Sequence, residues 1–68
     1  MKLTIRFMQE DDGRWLAVID ALPGVMAYGQ TKDHAATQAQ ALAFWRLADM
    51  LDAGELRSAD HVEFERAA

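Results

Sequence analysis

Polar and apolar residues alternate at the start of the chain: Leu3, Ile5 and Phe7 are interleaved with Lys2, Thr4 and Arg6. A period of two puts one set of side chains on a buried face and the other in water, as in a half-buried strand. Glu10 to Gly13 (EDDG) then supplies turn chemistry, with Gly13 free to take positive φ. Arg14 to Leu22 (RWLAVIDAL) is a second run, apolar on both faces. Two such runs joined by a short Asp-Gly turn predict an antiparallel hairpin.

Pro23-Gly24 breaks the second run. Proline presets φ for the first central position of a type II turn, and glycine suits the second. Val25 to Tyr28 (VMAY) predicts a short third strand, which Gly29-Gln30 ends by letting the chain leave the sheet. Thr31 is placed as a helix N-cap, with Asp33 near the positive end of the dipole. The capping box is incomplete, because His34 stands where a glutamate would reach back.

From Lys32 to Ala53 there is no proline or glycine, so one long helix is predicted, stopped by Gly54. On a helical wheel Ala35, Ala36, Ala39, Ala43, Leu47 and Met50 form one stripe whose small residues suit close approach to a sheet. Ala41, Phe44, Ala48 and Leu51 form a second stripe, and Trp45 points in a third direction beside Leu42. One sheet cannot cover all three. The reading therefore places an interface on Phe44, Trp45, Ala48 and Leu51, and adds Tyr28, whose ring can pack while its hydroxyl stays wet.

Glu55 to Asp60 (ELRSAD) reads as a loop, and His61 to Glu65 alternates again as a final strand. The expected fold is α+β in the order β-β-β-α-β. A small antiparallel sheet of three to four strands carries one long helix on one face, and residues 1–68 form a single domain.

Length sharpens the interface argument. A chain of 68 residues buries only about 60% of the surface its unfolded form exposes. Without cysteine it has neither disulfides nor thiolate metal sites, which leaves oligomerisation as the common route to stability. The formal charge is −4, from 11 acidic and 7 basic side chains. That balance disfavours direct nucleic-acid binding and suits a basic protein partner. The N-terminus lacks an apolar signal core, and no apolar run is long enough for a membrane span, so the cytoplasm is the expected location.

Chemistry is sparse. His61, Glu63 and Glu65 share one face of the final strand, but a metal site draws more ligands held by a supporting shell, and a solvated edge explains them better. Asp11 and Asp12 suit local backbone hydrogen bonding in a turn better than acid–base work. Ser58 is the only serine, and no glycine pattern fits a phosphate. No catalytic, metal-ligating or cofactor-binding residue is assigned.

With these elements placed, EDDGRWLAVIDALPGVMAYGQTKDHA (Glu10 to Ala35) resembles the N-terminal module of the HicB-like antitoxin family. The shared features are Asp12-Gly13 followed by Trp15, LPGV at Leu22 to Val25, AYGQT at Ala27 to Thr31, and the helix-start alanines Ala35 and Ala39. The resemblance implies the same β-β-β-α-β module, self-association as a dimer or a tetramer, and neutralisation of a small basic ribonuclease toxin by covering its active surface. It implies no catalytic residue. It carries over Leu22, Pro23, Gly24, Tyr28, Gly29 and Thr31 as turn, strand and cap determinants. Many family members add a C-terminal DNA-binding domain, and the reading expects none on this polypeptide. His34 departs from the acidic residue common at that position. The alternative is an orphan self-associating module of the same fold, with no toxin.

Overall fold

The N-terminal alternation becomes β1 (Lys2–Gln9), which runs antiparallel to β2 (Trp15–Val18) in a computed structural model describing residues Met1–Ala68. β3 (Met26–Gly29), helix α1 (Lys32–Asp52) and β4 (Glu63–Arg66) follow. The fold is α+β in the expected order β-β-β-α-β, with the sheet ordered β3-β2-β1-β4.

The hairpin closes through Gly13 at φ 90°, whose N–H donates to the Glu10 carbonyl at 2.9 Å. The second run leaves the sheet sooner than its apolar content suggests. After Val18 the Leu22 N–H donates to the Ile19 carbonyl, and the Val25 N–H donates to the Leu22 carbonyl, each at 3.0 Å. Gly24 at φ 84° completes the type II turn that Pro23-Gly24 predicts. Ile19, Leu22 and Val25 are all buried, so the double turn folds its apolar side chains under the sheet instead of extending the strand.

β1 and β3 both run antiparallel to β2, and the chain returns along α1, so β4 enters beside β1 and parallel to it. The sheet is therefore mixed: three antiparallel strands with a parallel fourth at the edge. Register assigns the faces. Leu3, Ile5, Phe7, Trp15, Ala17, Ala27, Gly29 and Phe64 lie under the helix; Thr4, Arg6, Met8, Leu16, Val18, Met26 and Tyr28 lie on the opposite face.

The helix presents the small-residue stripe to this core: Ala35, Ala36, Ala39 and Ala43 are wholly buried, and Leu47 nearly so. Thr31 caps it, its Oγ1 accepting from the His34 N–H at 3.0 Å, a contact worth about 1 kcal/mol. At the other end the Gly54 N–H donates to the Leu51 carbonyl and the Glu55 N–H to the Met50 carbonyl, with Gly54 at φ 77°. That double bond is a Schellman stop.

Gly29 ends β3 where expected and has a second role besides: its φ is not positive, and the residue is buried. A Cβ built there would lie 2.9 Å from Ala35 Cα and from the His34 carbonyl carbon, and closer still to the Ala35 nitrogen. The missing side chain lets the first turn of α1 rest directly on β3.

Candidate protein-binding surfaces

Small residues on the inner stripe bring α1 close to the sheet, so its bulky residues are left outside. Ala41, Phe44, Trp45 and Ala48 line a shallow, open groove of about 360 Å³. Trp45 is 74% exposed and Phe44 52%, with Leu42 and Leu51 exposed beside them. The Phe44 ring is steadied edge-on by Phe64 of β4, with centroids 5.6 Å apart and planes at 75°. Neither the loop after the helix nor a terminus covers this surface. Leu56 and Val62, which could have reached it, pack on the core instead.

Tyr28 is not part of that groove. Register puts it on the open face of the sheet, on the far side from α1. There it stands with Met26 across from Leu16 and Val18, and with Met8 one strand further on. Met8, Met26 and Tyr28 are 43%, 49% and 47% exposed, and they shield Leu16 and Val18, which are buried without the helix's help. The sequence reading missed Met8 and Met26. The signal was present in β2, whose second apolar set needs cover, but it becomes usable only once pairing sets Met26 and Tyr28 opposite that set.

The charged groups around this open face are mostly acidic or already paired within the chain. The Tyr28 hydroxyl donates to Glu10 Oε1 at 3.3 Å, and the Arg14 guanidinium lies 4.4 Å from the ring centroid. Both nearby arginines are engaged within the chain: Arg6 Nε pairs with Asp20 at 2.9 Å, and Arg14 Nε with Asp12 at 2.8 Å. Glu63 and Glu65 alternate outward along β4, and Glu63 meets only the His61 imidazole, at 3.8 Å.

These pairs hold two carboxyls below the ordinary aspartate range. For Asp12 the main cause is the Arg14 backbone N–H, followed by its guanidinium; for Asp20 it is the hydrogen bond from Arg6. A lowered folded-state pKa gives stability that is present above the unfolded value and lost as pH falls through the folded one. Both carboxyls lie on exposed side chains, so the contribution is small. Carbon-detected NMR titration should find both below the unfolded-peptide value of about 3.9, with stability declining only on the acid side of it. A normal or raised value at either residue would refute the pairing.

The remaining chemically suggestive residues do not converge. No three of the His, Asp and Glu side chains come together at metal-binding distance. Asp12 serves the hairpin turn, His34 Nε2 meets Gln38 at 3.2 Å, and His61 lies past the far end of the helix. No helix is long and apolar enough to cross a membrane. What the chain offers a partner is apolar surface on two opposite sides. Compared with protein-family models, curated proteins and solved structures, the chain has no match.

Proposed function

We propose that this chain is a non-enzymatic protein-binding module of the antitoxin type, which neutralises a small basic ribonuclease by covering its active surface. The observation that carries the reading is the open sheet face. Met8, Met26 and Tyr28 offer adaptable apolar contact over a fixed floor of Leu16 and Val18, and at its margin lie Glu10, Glu63 and Glu65, none of them paired with an arginine or lysine. The resemblance of Glu10 to Ala35 to HicB-like antitoxins supports the same reading. The turn, strand and cap that carry it (Leu22 to Thr31) are the segment that presents Met26 and Tyr28.

Co-expression with small basic ribonucleases of the double-stranded-RNA-binding type tests it. Wild type is expected to restore growth and co-elute with one of them. Met26→Glu, on an exposed position, should remove both effects while leaving the far-UV circular dichroism unchanged. Failure of the wild type to rescue or to form a complex with any of them overturns the antitoxin reading. The alternative is an orphan self-associating module, favoured by the separate apolar surface on α1, and it expects a stable homo-oligomer that ignores every such ribonuclease.

A further inference from the structure

The outer surface of α1 has an internal order that mere hydrophobicity does not require. Ala41, Phe44, Ala48 and Leu51 recur at alternating steps of three and four, the spacing of a helix–helix seam. The groove's lining residues, Ala41, Phe44, Trp45 and Ala48, stand at i, i+3, i+4 and i+7, the four corners of a hole that receives a knob from a facing helix. The seam also alternates small, large, small, large. We propose that it seats the same seam of a second copy, forming an antiparallel helix pair about a two-fold axis level with residue 46.

Self-complementarity carries the choice of occupant. In that alignment Phe44 faces Ala48 of the second copy, and Leu51 faces its Ala41, so each bulky side chain enters a hole floored by an alanine. The two Trp45 rings meet beside the axis on the other flank. A parallel alignment sets Phe44 on Phe44 and Ala41 on Ala41, overfilling one level and leaving the next empty. A two-fold interface needs a patch that contains both the projection and the recess that receives it, and this one does. Arg46, at the level of the axis, is turned away from the seam and reaches Glu55 at 3.9 Å, so the two copies do not oppose like charges there.

The area is also sufficient. With aromatic side chains offering about 150–250 Å² each, the exposed parts of Phe44, Trp45 and Leu51 amount to roughly 350 Å² of apolar surface per copy. Doubled, and with a polar rim added, that clears the approximately 1,000 Å² expected of a specific interface. The assembly uses the helix alone and does not depend on the antitoxin reading. Loss of growth rescue with the pair intact would count against that reading only.

Sedimentation equilibrium of the full chain at tens of micromolar should give twice the 7.6 kDa chain mass. Trp45→Glu, at the most exposed large side chain, should weaken self-association at least tenfold with helix content unchanged. The chain lacks cysteine, so orientation can be read by oxidation: Ala41→Cys with Leu51→Cys should cross-link two copies, and Ala41→Cys alone should not. A monomeric wild type overturns the proposal and leaves the seam to an unlike chain. A pair indifferent to Trp45→Glu, or cross-linked through Ala41→Cys alone, overturns the seam or its direction.

Discussion

Gly29→Ala is expected to lower the melting temperature by about 12–24 °C, although it adds only one methyl group to a residue in a strand. The cost comes from where the methyl lands. It would meet the backbone at His34 and Ala35, inside van der Waals distance, and a backbone turn cannot swing aside as a long side chain can. Relief requires α1 to lift off β3, which loosens the contacts of Ala35, Ala36 and Ala39 together. Overpacking of this kind costs on the order of 3 kcal/mol, and each kilocalorie moves the midpoint of a domain this small by roughly 4–8 °C. Gly24→Ala is the control. Its Cβ meets nothing within 4 Å, and only the φ of 84° opposes it, for about 1–2 kcal/mol. If thermal melts followed by circular dichroism place Gly29→Ala no lower than Gly24→Ala, the close approach of strand and helix is not what fixes this position.

Ile5→Ala should be more damaging still. Ile5 is fully buried on β1, a central strand with β2 on one side and β4 on the other, and it belongs to the same apolar cluster as Ala39, Ala43 and Leu47. Truncation loses the transfer free energy of three carbons and leaves a cavity where β1 is held by β4 at Ile5 itself and by β2 from Arg6 onward, so the strand cannot move in to close it. Together these cost about 3–4 kcal/mol. A domain of this length has roughly 3–10 kcal/mol in total, so a large unfolded fraction is expected at low concentration. Urea titration should show the midpoint collapsing with the slope retained. Ile5→Val, which keeps most of the volume, should cost about 1 kcal/mol. Equal midpoints for the two variants would mean that Ile5 is not the pinned centre of the core.

Much of this architecture is legible along the chain, because the elements are written in local chemistry. The alternation at Leu3, Ile5 and Phe7, the Asp-Gly turn, Pro23-Gly24 and the Thr31 cap each act within a few residues, and each stands where the pattern puts it. The alanine stripe of the helix is equally local, since a wheel needs only the helix itself. What the pattern does not contain is pairing. Tyr28 joins Met8 and Met26, and parts from Phe44 and Trp45, only because β3 pairs with β2 in one register. The direction of β4 follows from where α1 delivers the chain. Gly29 is the clearest case: a glycine before a helix suggests freedom of the backbone, whereas its neighbours in space require the absence of a side chain.

The opposition of the two apolar surfaces has a consequence for stoichiometry. Two chains joined through their helices stack as sheet, helix, helix, sheet, with Met26 and Tyr28 of each facing outward at the two ends. A pair formed as proposed would be bivalent, with its two sites pointing away from each other. It could bridge two separate targets or grip a single two-headed one, and in the second case the tether between its sites would raise avidity with no contact stronger than either face makes alone.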